Sequence, residues 1–448
     1  MKRRNWLIVA LLALSVVGVY AQRGDDFADD FLNTEAGRAF IQTYGALKSN
    51  YLNDVEDEVI IEGAINGMLE SLEDPFTYYA DPEVTARRNE DMSGSFEGIG
   101  AVLSPLNRQT SEGVEIINVY RDGPAWNAGV KRGDVFLEVD GTDVEKSNPA
   151  EVAELVRGPA DTVVNIKLLR PGQEEPVEFA INRGKVDIVS VESAVLPNNV
   201  GYLNLSTFAN QRLYDQMMEQ IDTLEGQGIT SLILDMRDNG GGLLNQGILV
   251  ADEFLNSGDI VFQRARNVTQ RIASADPNWF ELPMVVLVNE YSASASEIVA
   301  GALQENGRAL VIGEETFGKG VAQNVVTLTD GGQLAYVSFE WLTPNRNSIA
   351  DVGITPDIVA ADTRFPNVIS LEGQGADPGQ EIEILVDGES VGKATVNEEG
   401  EFDFVSAASL ERDLSEVQGE AIVDLATDNA LQIAYDTLLN EVAAAQTN

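Results

Sequence analysis

Apolar side chains recur along this chain with periods that change from stretch to stretch, and each change marks a separate folding unit. Phe40, Tyr44, Leu47 and Tyr51 lie three or four residues apart, and Ile61, Ile65, Met68 and Leu72 repeat the spacing. Residues from about 29 to 90 are therefore expected to be helical, each helix carrying one apolar stripe to bury. The second helix must stop near Asp74, because Pro75 cannot continue it. From 93 to 184 the pattern turns to short β runs: VEIINVY (114–120), DVFLEVDG (134–141) and VVNIKLL (163–169) read as strands. Asp140-Gly141 is a tight-turn signal, and a helix fits Pro149 to Val156.

Between about 185 and 360 strands alternate with helices, which is α/β architecture. Leu213, Met217, Ile221 and Leu224 form a helical stripe ending near Gly226; SLILDM (231–236) and PMVVLV (283–288) are buried-strand runs, and LLNQGILVADEFL (243–255) is helical. From about 366 to 426 period-two alternation returns, with Ile382, Ile384 and Val386 leading to an Asp387-Gly388 turn and Ala394, Val396, Phe402 and Phe404 following. This stretch reads as a small immunoglobulin-like β-sandwich. DNALQIAYDTLLNEV is helical again, so the β module is expected to interrupt the α/β domain ahead of its last helix.

Composition narrows the chemistry. The 448 residues include no cysteine and no histidine. That excludes disulfides, thiol nucleophiles, thiolate or imidazole metal ligation and any Ser-His-Asp triad, and leaves acid–base work to Asp, Glu, Lys or Tyr. Against 73 acidic side chains stand 29 basic ones, a net charge of −44. Such a field repels nucleic acid and anionic membrane surfaces. At the amino terminus Lys2, Arg3 and Arg4 precede WLIVALLALSVVGV, 14 apolar or small residues, with Val19 and Ala21 spaced for cleavage. The segment suits the apolar core of an export signal better than a membrane span, although an uncleaved anchor competes with it.

Three pieces of sequence could carry chemistry. In VNEYSASASEIVAGALQENG (288–307) a strand ends, serines 292, 294 and 296 occupy a sharp turn, and a helix begins. That unit exposes a hydroxyl at a helix amino terminus, where free amides favour developing negative charge, but Ser294 with Glu297 also makes an ordinary capping box. In ETFGKGVAQ (315–323) Lys319 lies between two glycines with apolar Phe317 and Val321 nearby. A lysine buried enough to be neutral can act as a general base, and Gln323 could hold its amine. The same stretch, from Gly313 to Lys319, matches a phosphate loop except that Gly320 replaces the final Ser or Thr and strand-like alternation follows, which argues against nucleotide binding. In LDMRDNGGGLL (234–244) a strand runs into three glycines before a helix, an arrangement that presents amides to an anion.

Two resemblances gather these pieces. Phe96 to Gly100 with GPAWNAGVKRGDVFLEVDG resembles a PDZ domain, in which an extended peptide adds to a sheet edge and entry-loop amides hold its terminal carboxylate. The residues implied for that role are Phe96, Gly98, Ile99 and Gly100. Nearly the whole chain resembles the carboxy-terminal processing peptidases, or tail-specific proteases, through GAINGMLESLEDPFTYY (63–79), the glycine turn, the long run from SASAS to TFGKGVAQ, and DVGITPDI (351–358). The resemblance implies a crotonase/ClpP-like α/β protease core, Ser294 as nucleophile, Lys319 as base with Gln323 supporting it, and an oxyanion hole from the Ala295 amide and one amide of the glycine turn, Gly241 first with Gly240 and Gly242 close behind. It implies PDZ control of substrate admission, coupled to activation through Arg157, and needs neither metal nor cofactor. The expected division is a signal or anchor at 1–21, a helical region at 22–92, a PDZ domain at 93–184, a protease core at 185–365 plus 427–448, and the β module at 366–426. Expected partners are protein or peptide tails and an unidentified ligand of the β module; self-association and membrane attachment through a retained amino terminus stay open, in an exported, periplasmic or envelope setting.

Overall fold

The computed structural model describes residues 27–447 apart from 107–112, 121–122, 171–172, 174, 267, 278–279, 365–369, 375–376, 387–388, 398–399, 406–422 and 424. The amino-terminal signal and the Asp387-Gly388 turn lie outside the described residues. The chain separates into two compact units, one of residues 1–80 with 325–336 and one holding the rest.

In the first unit helices Glu35–Asn50 and Asp57–Glu70 precede a short strand, Tyr78–Ala80, which pairs antiparallel with residues 333–335. Thr34 caps the first helix by accepting from the Gly37 amide at 2.9 Å. The apolar stripes are where expected but are not covered. Phe40, Leu47, Tyr51, Met68 and Leu72 are 40 to 61% exposed. The short helices and strand segments of this unit offer too little surface to enclose two stripes.

In the second unit a PDZ-like sheet has the strand order Ala101–Pro105, Val114–Val119, Val135–Val139, Val163–Leu169, Val177–Asn182. A separate pair, Ser95–Gly98 with Gly184–Asp187, lies beside it in the chain. VVNIKLL points Val164, Ile166 and Leu168 inward, as alternation requires. They pack with Ile116, Phe136, Val152 and Ile181 under the helix Pro149–Val156, whose amino terminus Asn148 and Glu151 close with a capping box.

The α/β part of this unit is a six-stranded sheet whose strands follow one another in chain order: β1 (Val191–Leu196), β2 (Val200–Leu205), β3 (Ser231–Asp235), β4 (Met284–Val288), β5 (Leu310–Gly313) and β6 (Ile358–Val359). Only β1 to β2 is antiparallel. Every residue of β3 and β4 is buried, because both faces are covered. On one face pack α1 (Leu213–Gly226), through Leu213, Met217, Ile221 and Leu224, then α2 (Leu244–Phe254) and α3 (Ala295–Glu305). On the other lies α4 (Asn429–Thr447), through Ala430, Leu431, Ala434 and Leu438. The last helix thus completes a sheet whose strands end seventy residues earlier. In between, Ser370–Gln374 pairs with Glu401–Val405 and Glu381–Val386 with Glu389–Thr395, with Ile384 and Ala394 buried between Ile382 and Phe402. In an open parallel sheet, ligands meet the carboxyl ends of the strands. There β3 runs into the glycine turn and β4 into the serine turn.

Candidate active site

Three serines crowd the turn after β4, and the structure separates them. Ser292 donates its hydroxyl to Met236 O at 2.8 Å and Ser296 donates to Asn239 O at 2.8 Å, both fully buried. Ser294 alone of the three reaches solvent. Its backbone is strained, with φ 56° and ψ −110°, a conformation that costs a residue with a Cβ on the order of 1 to 3 kcal/mol and persists only where surroundings enforce it. The next residue, Ala295, opens α3, so its amide is among those a helix leaves unpaired within itself.

Glu297 supplies much of the enforcement. It stands in a capping box with Ser294, whose amide donates to Glu297 Oε2 at 2.6 Å. The same fully buried carboxylate accepts from Thr316 Oγ1 at 2.6 Å, Gly318 N at 2.7 Å and Lys319 N at 3.0 Å. One side chain therefore ties the serine turn to the lysine loop. Burial pushes the Glu297 carboxyl above its usual range, while these donors pull it back.

Lys319 is half-buried, and its Nζ donates to Gln323 Oε1 at 3.0 Å. Phe317 does not help enclose it, contrary to expectation, being 57% exposed. The Phe317 amide is instead held by Ser292 O at 3.0 Å. Enclosure comes from the far side of the loop. Trp341 donates its ring N–H to Lys319 O at 2.8 Å, and a Cβ on Gly320 would meet Ala350 N at 2.7 Å. Burial lowers the Lys319 pKa, and the charge of Glu297 opposes that shift. Val321–Thr327 is a strand, so the phosphate-loop pattern lacks the helix that would bind a nucleotide.

The glycine turn presses on the serine turn. A Cβ on Gly241, whose φ is +88°, would lie 2.5 Å from Ala293 O, 2.8 Å from Ser294 Cβ and 2.9 Å from Ala295 N. In this form the Gly241 amide donates to Asn239 Oδ1 at 3.0 Å. Asn239 also donates to Leu205 O at 2.7 Å, and its carbonyl accepts the Ala293 amide.

In the PDZ-like part Phe96, Ile99 and Gly100 line an apolar groove of about 430 Å³ together with Tyr120, Ala153, Val156 and Arg157. Gly98 lies beneath, its hydrogen side facing the Phe96 ring and the Arg157 backbone. The Arg157 guanidinium stacks 5.0 Å from the Phe96 ring centre and pairs with Glu90 at 3.3 Å. Glu90 in turn accepts from the Glu97 amide at 3.0 Å.

These features can be set beside known proteins. The family model of peptidase family S41 matches residues 199–360, and a PDZ domain model matches 115–170. A carboxy-terminal-processing protease of Bartonella bacilliformis is 35% identical over 327 residues, covering 71% of this chain and 74% of its own. This chain belongs to peptidase family S41. Its residues 23–84 match the activating protease CtpB N-terminal domain. The carboxy-terminal processing protease CtpA of Bacillus subtilis is 34% identical over 321 residues, covering 71% of this chain and 68% of the relative. Among solved structures the photosystem II D1 C-terminal processing protease is 33% identical, covers 73% of this chain and 87% of its own, and superposes with a TM-score of 0.46. The S41 chain is thus a serine-type peptidase of the carboxy-terminal processing kind, acting on protein substrates.

Sequence reasoning missed a buried ion network behind the glycine turn of this S41 peptidase. Arg237, with its side chain 1% exposed, pairs with Asp235 at 2.6 Å, Asp428 at 2.7 Å and Asp362 at 3.4 Å. Arg364 pairs with Asp362 and Asp238 at 2.6 and 2.7 Å. Burial works against the Arg237 charge, but Asp235 and Asp428 outweigh it and raise its pKa. Asp362, also penalised by burial, is drawn down to about 2, first by Arg364 and then by Arg237. Charged residues directly after the apolar Leu232–Leu234 of β3 were the available signal, since a buried charge needs partners. Nothing near them in sequence names Asp428.

Proposed function

We propose that the peptidase works through an acyl-enzyme, with Ser294 as nucleophile and Lys319 as general base. Ser294 Oγ attacks the scissile carbonyl carbon while its proton passes to the neutral Lys319 Nζ. The same proton goes to the leaving amine as the peptide bond breaks. Water, losing its proton to Lys319, then attacks the Ser294 ester, and Lys319 returns that proton to Ser294 Oγ as the acid product leaves. Gln323 holds the amine in place. The tetrahedral oxygen takes the Ala295 amide and that of Gly241, which must exchange Asn239 Oδ1 for substrate.

The observation that carries the reading is Glu297. A single buried carboxylate fixes the backbone of the one serine of this turn that reaches solvent and the backbone of a half-buried lysine. A merely structural capping box has no reason to hold a distant loop by three more bonds. The groove of Phe96, Ile99 and Gly100, with Gly98 beneath, supports admission of substrate by its tail, and the Arg157 contacts support that residue as the link to activation. The basic and apolar amino terminus supports export. Among the described residues no helix is long and apolar enough to cross a membrane. The sequence-ordered, helix-flanked sheet supports a crotonase/ClpP-like core, and the two strand pairs between 370 and 405 support an inserted β module.

The test compares wild type with Ser294→Ala and Lys319→Ala on a substrate of defined tail, with melting curves as fold control. Loss of cleavage in both folded variants is expected. Full proteolysis by either removes it from the mechanism.

A further inference from the structure

Resting on that reading, we infer that Asp428 is a positioning residue for the oxyanion turn, acting through Arg237 from the far side of the inserted β module. Arg237 lies three residues before Gly240, and its guanidinium is gripped on two edges. Asp235 takes Nε and Nη2, and Asp428 takes Nη1 at 2.8 Å and Nη2 at 2.7 Å. Asp235 belongs to β3 itself and moves with the turn. Asp428 arrives 191 residues later and is anchored elsewhere.

That anchor is firm. Asp428 Oδ1 accepts from the Leu431 amide at 3.1 Å, capping α4, and α4 is packed on the second face of the sheet. The chain leaving for the insert and the chain returning from it are stapled together. Thr363 Oγ1 donates to Thr427 O at 2.6 Å and accepts from Asn429 N at 2.9 Å. The root of the insert is therefore a fixed frame, and Asp428 holds Arg237 against it.

The turn has no slack to absorb a change. Gly241 already lies against Ala293, Ser294 and Ala295 at distances that leave no room for a methyl group. If Asp428 loses its charge, the guanidinium swings toward Asp362 and takes the Met236–Gly241 segment with it. The displacement falls on the oxyanion donors, which act in the transition state. The groove that would hold the tail, lined by residues from 96 to 188, is untouched.

Full-length wild type, Asp428→Asn and Asp428→Glu are compared by steady-state cleavage, by labelling with a fluorophosphonate whose phosphoryl oxygen seeks the same donors, and by binding of a tail peptide. Asp428→Asn is expected to lower kcat and the labelling rate together, on the order of 10- to 100-fold, with KM and peptide affinity within about twofold. A folded Asp428→Asn enzyme with wild-type kcat, or with only KM changed, overturns the inference. Should that variant fail to fold, Asp428→Glu decides. It keeps the charge but adds a methylene, so kcat falls about tenfold if Asp428 sets the turn and stays at the wild-type value if it does not. Wild-type protein that cleaves substrate without being labelled at Ser294 sinks the underlying reading and leaves the two failures distinct.

Discussion

Replacing Gly241 by alanine tests the site at its tightest contact. The added Cβ would be 2.5 Å from Ala293 O, and ordinary contact begins at 3.4 Å, so the glycine and serine turns must part by about 0.9 Å. A displacement near 1 Å of a positioned group costs on the order of 10²-fold in rate, about 2.7 kcal/mol. If the Gly241 amide is also turned away from the oxyanion, loss of one donor alone is worth about 2.7 to 4 kcal/mol. Either route places kcat about 10²- to 10³-fold below wild type. Holding alanine at φ +88° adds roughly 1 to 2 kcal/mol of strain, which lowers the melting temperature by several degrees without unfolding the enzyme. Gly240→Ala is the control, since nothing lies within 4 Å of its Cβ and its φ is not positive, and kcat should stay within about twofold. The assay is single-turnover cleavage of a tailed substrate with parallel thermal melts and tail-peptide binding. A folded Gly241→Ala enzyme retaining more than a tenth of wild-type kcat refutes the placement of this turn against the reacting centre.

On the proposed mechanism, which needs the neutral amine, kcat/KM should rise with pH through a Lys319 pKa set below the usual 10.5 by burial. Glu297→Gln removes the charge that opposes this shift. It should lower kcat and move the alkaline-rising limb to lower pH; a limb left in place means Glu297 acts through geometry alone. Asp362 is held down near 2, so its contribution to stability is present above an unfolded pKa near 3.9 and is lost as pH falls through 2. Allowing for solvent screening, that loss is about 1 to 2 kcal/mol, and Asp362→Asn should flatten the acid limb of a denaturation curve. Ala153→Trp fills the groove between Phe96 and Val156. It should raise KM for a tailed protein at least tenfold while sparing a short peptide that needs no tail contact; equal loss on both substrates would show the groove plays no part in admission.

Much of the architecture was readable along the chain. The Leu213 to Leu224 stripe, the apolar runs of β3 and β4 and the alternation of VVNIKLL each announce an element within ten or fifteen residues, because helix and strand periods are local properties of the backbone. The serine turn was legible for the same reason, as a strand, a sharp corner and a helix start are adjacent in sequence. The glycines around Lys319 signalled close approach, though not of what. Phe317 misled because an apolar residue beside a lysine says nothing about which way it faces. The amino-terminal stripes misled in the other direction, since an amphipathic pattern states that a face could be buried and not that the chain supplies a cover.

By itself, then, the sequence determined which short segments form which elements, where a hydroxyl and an amine could do chemistry without histidine or cysteine, and which family they resemble. Only the folded chain decided which of three serines keeps its access to solvent, that Glu297 joins the turns bearing Ser294 and Lys319, that Asn239 occupies the Gly241 amide, and that Asp428 returns from beyond the insert to grip Arg237. The physical reason is one of range. Backbone periodicity is set over a few residues, whereas a buried charge or an unpaired amide takes as partner whatever group the completed packing brings within 3 Å, however distant in the chain.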